Sequence, residues 1–207
     1  RSLPETIALH KNSAEVPSEQ GGSVSKSCNR QTGWTLVELV VVMSIAALLT
    51  ALAVPSFRDQ FTRTRLTTHS STLLSSLLLA RSEAIKRNVR VALCKSADGR
   101  TCITSGAWEQ GWLVFVDKNN DASRAESEPI VMVVGPLSGA FKLVGNSSIA
   151  NYVSYSPSGA TQFTSGAFQA GTFTLCDGES SSGLARKIVI NATGRARITQ
   201  VGANVCA

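Results

Sequence analysis

An α+β fold is predicted for this 207-residue chain: one long N-terminal helix followed by antiparallel β-sheet. Three observations predict it. Residues 34–54 form an apolar run carrying a single charge, Glu38. A second apolar face then continues at helical spacing through residues 58–88. From residue 89 the pattern becomes short strands between Gly, Pro, Asn and Ser turns, and strands behind one amphipathic helix imply a sheet closing on that helix.

Composition narrows the function. The chain is 43% hydrophobic and 16% charged, with 16 glycines, which fits a turn-rich β domain. Its formal net charge of +6 permits an acidic partner without demanding one. The two histidines, His10 and His69, lie far apart. HExxH, CxxC, GxSxG and phosphate-loop patterns are all absent, so no catalytic, metal or cofactor site is indicated.

The apolar run comes first. Trp34–Val54 is 21 residues, about 31 Å of helix at roughly 1.5 Å per residue, enough to cross a bilayer core of about 30 Å. A secretory signal has a shorter apolar region closed by a small-residue cleavage site, and none closes this run cleanly. An ordinary anchor would not explain Glu38. An intramembrane carboxylate costs about 2.5–3.5 kcal/mol mid-bilayer and usually has a partner.

Beyond the run, Leu66, Leu73, Leu77, Ala80 and Ala84 fall within one arc of a helix, with Leu74, Leu78 and Ile85 beside it. Pro55 lacks an N–H, so a kink or break is expected there. The hydroxyl-rich Thr67–Thr72 stretch has weak helix propensity and is a candidate flexible point. Arg81, within the broad apolar arc, reads either as a snorkelling side chain or as a buried arginine with a carboxylate partner. Arg58, Arg63, Arg65, Lys86, Arg87 and Arg90 read as contacts to lipid headgroups or as a solvated face.

Eight strands are predicted, at Val89–Lys95, Gly111–Asp117, Ile130–Gly135, Phe141–Val144, Asn151–Ser156, Thr172–Cys176, Lys187–Asn191 and Arg195–Gln200. Between the second and third, Asp117-Lys118-Asn119-Asn120-Asp121 has the oxygen donors of a calcium loop, with Glu128 at the twelfth position. Ala122 stands where that loop needs Gly, so a solvated turn is the expectation.

At the N-terminus, Gly33-Trp34-Thr35-Leu36-Val37-Glu38, the apolar run and then Pro55 resemble the processing site and helix of type IV pilins and type II secretion pseudopilins. The resemblance implies a type IV pilin-like fold, with a leader at residues 1–33 removed by the prepilin peptidase after Gly33. It implies methylation of the new amine of Trp34, which replaces the usual Phe. It also implies that Glu38 pairs with the N-terminus of a neighbouring pilin during assembly, a positive partner for the stranded carboxylate. Residues 34–57 are then the transmembrane and assembly helix, 58–88 its amphipathic half, and 89–207 a β-rich domain outside the inner membrane. The same resemblance implies no cofactor and no enzymatic activity.

Of the five cysteines, Cys28 falls in the predicted leader, leaving Cys94, Cys102, Cys176 and Cys206 in the mature chain. An even number in an exported domain supports disulfides, and four cysteines allow three pairings. Cys94 and Cys102 flank a turn-like segment and are expected to pair locally. Cys176 and Cys206 would then tie the C-terminal segment to a strand.

The mature chain is similar to the FimT/GspH group of minor pilins through Leu79-Ala80-Arg81-Ser82-Glu83-Ala84, Val91-Ala92-Leu93-Cys94, Gly111-Trp112-Leu113-Val114-Phe115 and Gly194-Arg195-Ala196-Arg197. The first three blocks mark core and fold. The last matches a GRxR motif that, in FimT-type pilins, is implied to contact DNA. It makes Gly194, Arg195 and Arg197 candidate DNA-binding residues, with Lys187 and Arg186 adding charge. Residues two apart on a strand share a face, about 7 Å apart at roughly 3.4 Å per residue, so both guanidiniums should stand together in solvent. The functional expectation is a minor pilin that incorporates into the pilus and binds DNA without sequence preference for uptake in natural transformation. The alternatives are a structural minor pilin that primes assembly and a GspH-like minor pseudopilin of type II secretion.

Overall fold

The structure is a computed structural model, and it describes residues 33–178, 184–201 and 206; within these, the side chains of residues 52–59, 200 and 201 are not described. The predicted leader, apart from Gly33, lies outside the described residues. The chain falls into two units, Arg1–Ala46 and Ala47–Ala207.

Helix α1 spans Leu36–Arg87 and runs without interruption through Pro55, where the sequence predicts a kink or break. In the first unit, Trp34, Leu36, Val37 and Met43 are all strongly exposed, and the Glu38 amide donates to the Thr35 hydroxyl at 3.3 Å. That bond satisfies one of the orphan donors of the first turn. Among the residues with described side chains, no helix is long and apolar enough to cross a membrane; the apolar run continues past them to Val54.

In the second unit the helix buries the predicted face: Leu66, Leu73, Leu77, Ala80 and Ala84 are inaccessible or nearly so. Leu78 and Ile85, expected beside that face, are instead about half exposed. Ser70 and Ser76 take places in the buried stripe. The hydroxyl-rich stretch is regular helix: Thr67, Thr68, Ser70, Thr72 and Ser76 each donate to a carbonyl of the preceding turn. Back-bonding of this kind satisfies the hydroxyls inside the helix, at a small cost in helix stability. The Ser76 hydroxyl also accepts from the Trp112 indole N–H at 3.0 Å, so the polar edge of that buried ring is satisfied.

All eight predicted strands form: β1 (Val91–Lys95), β2 (Trp112–Val116), β3 (Ile130–Val134), β4 (Phe141–Gly145), β5 (Tyr152–Tyr155), β6 (Gly171–Asp177), β7 (Ala185–Ile190) and β8 (Ala196–Val201). They make two antiparallel four-stranded sheets, ordered β3-β2-β1-β5 and β4-β6-β7-β8. Both contribute to one core on the helix, where Val91, Leu93, Val114 and Val153 of the first sheet meet Phe173, Leu175, Ile188 and Ile190 of the second. Trp108 stacks edge-on against Phe173 and donates to the Ile149 carbonyl at 3.1 Å.

β1 and β2 are buried on both faces. Their outer side chains, Ala92, Cys94, Leu113 and Phe115, form a second small core capped by Cys102 and Tyr152. Disulfides join Cys94 to Cys102 and Cys176 to Cys206, the pairing expected from the sequence. The first ties this small core to its cap; the second brings the C-terminal segment back to the second sheet.

Candidate nucleic-acid interface

The GRxR hairpin is built by Asn191. After β7 its side-chain oxygen accepts from the Arg195 amide at 2.9 Å and from the Thr193 hydroxyl at 2.8 Å. Its carbonyl accepts from the Gly194 amide at 2.9 Å. Gly194 has φ +76°, in the left-handed region where a side chain is strained. The chain therefore reverses through a tight turn ending in a left-handed glycine, a common three-residue hairpin loop.

Gly194 is also buried, packed on the Tyr155 ring and the Gly159 carbonyl. The 156–160 loop thus occupies the space at Gly194, which gives the motif's glycine a role in seating the turn.

Arg195 and Arg197 stand exposed, whereas Ala196 and Ile198 pack against the core, as the alternation predicts. β8 begins at Ala196, so Arg195 sits in the turn just before the strand. Between the two arginines lies a groove of about 400 Å³ lined by Val189, Asn191, Arg195, Ala196 and Arg197. Val189 pairs with Arg197, and Lys187 with Thr199. Lys187 and Arg197 are thus diagonal neighbours on one face, about 7–8 Å apart. Arg186 is a correction: its guanidinium donates to the Thr67 hydroxyl on the helix at 2.9 Å, on the opposite face, and adds nothing to the groove.

Three further sequence expectations are revised. Arg81 is half-buried, and among the described residues it has no carboxylate partner; its Nε is buried beside Gly159 without a hydrogen bond. Burial pushes the Tyr155 hydroxyl above its ordinary pKa, and the Arg81 charge pulls it back down. Arg90 does not belong to a solvated face. It donates to the Ser154 hydroxyl, the Gln162 carbonyl and the Gln162 side chain, pinning the 161–169 segment to β5.

The Asp117–Glu128 loop is not merely solvated. Both carboxylates are buried: Asp117 accepts from the amides of Asp121 and Ala122, and Glu128 from those of Lys118 and Ala125. Their oxygens close the loop on itself. Among the described residues no cluster of three or more metal-ligating side chains occurs. Desolvation raises the Asp117 pKa, with Glu128 nearby adding to the shift and backbone N–H groups opposing it.

A helix packed on two antiparallel sheets, behind a Gly-Trp-Thr-Leu-Val-Glu segment, defines a pilin-like protein. Residues 69–194 match the family described as type II transport protein GspH, and residues 28–54 match the prokaryotic N-terminal methylation motif. The chain belongs to the GspH family, as a minor pilin or pseudopilin of the GspH type. Its fold is similar to the type IV minor pilin FimU of Pseudomonas aeruginosa PAO1, solved in two crystal forms. One has TM-score 0.54 at 18% identity, covering 70% of this chain and 97% of that one. The other has TM-score 0.51 at 16% identity, covering 69% and 100%. The minor pseudopilin EpsH of the Vibrio cholerae type 2 secretion system aligns at TM-score 0.46 and 12% identity, over 66% of this chain and 97% of that one. Proteins of these families are structural subunits.

Proposed function

We propose that this chain is a minor type IV pilin that binds DNA through Arg195 and Arg197 for uptake in natural transformation. The observation that carries the reading is the exposed pair of guanidiniums flanking a groove on a turn with a rigid, buried base. Guanidinium forks suit phosphate oxygens. Nothing in the groove is arranged to read base edges, so binding is sequence-independent. With about two to four phosphates contacted, log K should fall against log salt with a slope of roughly −2 to −4.

The route to the pilus rests on the N-terminal motif. Prepilin peptidase cleaves between Gly33 and Trp34 and methylates the new amine. The chain waits in the inner membrane, its β-rich domain on the periplasmic side, and Glu38 meets the amine of a neighbouring pilin as the filament forms.

The test is DNA retardation and fluorescence anisotropy with the detergent-solubilised full chain. Changing Arg195 and Arg197 together to Gln should abolish binding while the disulfides and fold remain. A folded double variant that binds as well as the parent overturns the site. The second reading, a structural subunit priming assembly or serving type II secretion, is favoured by the GspH family match and would then take its place.

A further inference from the structure

The register of the second sheet extends the basic surface beyond the GRxR hairpin. Alternation sends Phe173, Leu175, Ile188 and Ile190 into the core, and therefore Thr172, Thr174, Lys187 and Val189 outward. β4 obeys the same rule: Phe141 and Leu143 are buried, Lys142 and Val144 exposed. Three rows cross this outer face. Arg197 pairs with Val189, which pairs with Thr172. Two residues along, Thr199 pairs with Lys187, then Thr174, then Val144. Two further along, Ala185 pairs with Cys176, and Cys176 with Lys142.

The cations therefore step diagonally, Arg197 on β8, Lys187 on β7 and Lys142 on β4. With strands about 4.8 Å apart and residues about 3.4 Å apart, Arg197 and Lys142 are about 20 Å apart, and Arg195 lengthens the line to about 25 Å. Thr172, Thr174 and Thr199 lie outward among them, Cys176 with its bridge to Cys206 stands beside Lys142 in the third row, and the described outward positions of this face hold neither a carboxylate nor an aromatic ring. Lys142 carries no signal in the sequence, because only the pairing of β4 with β6 brings it to this face.

We infer that the outer face of the second sheet carries duplex DNA along the diagonal from Arg195 to Lys142, with Lys142 as the far phosphate contact. The inference rests on the DNA reading above and names the form and length of the ligand. A line of about 25 Å matches about seven base pairs at about 3.4 Å each. Hydroxyls between the cations are suitable donors to phosphate and sugar oxygens. Single-strand binders present rings on which unpaired bases stack, and the described residues of this face offer none.

The experiment measures anisotropy of a labelled 20-base-pair duplex, and of the matching single strand, against salt. It uses the full chain in uncharged detergent, Lys142→Gln, and Lys118→Gln as an exposed lysine outside this face. Lys142→Gln should make the slope of log K against log salt shallower by about 0.9, a loss of about eightfold at 0.1 M salt. Lys118→Gln should match the parent, and the duplex should bind more tightly than the single strand. If Lys142→Gln keeps the parent's slope and affinity while the double arginine variant loses binding, the diagonal is wrong and the hairpin site stands. Equal loss in Lys118→Gln, or tighter binding of the single strand, also overturns it. A parent that binds neither DNA overturns both readings.

Discussion

The α-carbon of Gly194 faces the carbonyl oxygen of Gly159 so closely that a β-carbon there would collide with it. Gly159 in turn lies against Arg81 and Ile85 of the helix. The hairpin bearing the two arginines is thus braced, through one loop, on α1.

Gly194→Ala should consequently destabilise the domain. The left-handed backbone alone costs about 1–3 kcal/mol for a residue with a side chain, and the collision adds to it. Denaturant unfolding of the parent and variant measures the loss. An unchanged midpoint would mean that the 156–160 loop yields freely and does not brace the turn.

Arg90→Ala removes three hydrogen bonds from a cation that holds the 161–169 segment. Net of exchange with water, a bond to a charged group is worth about 1.5–3 kcal/mol. The expected outcome is faster amide exchange across residues 154–169, with β2 and β7 little changed. Uniform exchange in the two proteins would place Arg90 back among the solvated charges.

Asp117 gives stability a pH dependence. Its folded-state pKa is raised, chiefly by desolvation. The contribution is therefore full below the unfolded carboxylate value of about 3.9 and is lost as pH rises through the folded value. The stability of the parent relative to Asp117→Asn should fall as pH climbs out of the acid range. Unfolding curves for both proteins at a series of pH values read that difference; a difference constant with pH contradicts it.

Glu38→Ala should leave cleavage after Gly33 largely intact but impair incorporation into filaments. Mass spectrometry of the extracted protein reads the new N-terminus, and sheared filaments read incorporation. Normal incorporation would remove the charge-pairing role, and an intact leader in cells with active prepilin peptidase would remove the processing site.

The strands were legible because each is short, apolar and bounded by turn residues, and their ends agree within about two residues. The helix face from Leu66 to Ala84 was legible from its spacing. Less so was the sheet pairing: β1 joins β5 across the chain, and β4 joins β6, contacts that local patterns do not encode. The second small core had a signal, since Val-Ala-Leu-Cys and Trp-Leu-Val-Phe-Val run apolar without alternation, as strands covered on both faces do. Leu78 and Ile85 mislead because an apolar arc has no edge marked in the sequence. Arg90 misleads because a cation beside a strand looks the same whether it is solvated or holding a loop.

The Cys176–Cys206 bridge alters how the hairpin bears tension. Any ligand gripping Arg195 and Arg197 pulls on β8, an edge strand held to its sheet by one ladder. Such a strand peels one bond at a time from the pulled end. Here the chain beyond β8 is fastened covalently to β6, two strands inward, across a separation of 30 residues. Peeling that began at the arginines would stop at a closed covalent loop, and force would pass into the middle of the sheet, where several bonds must break at once.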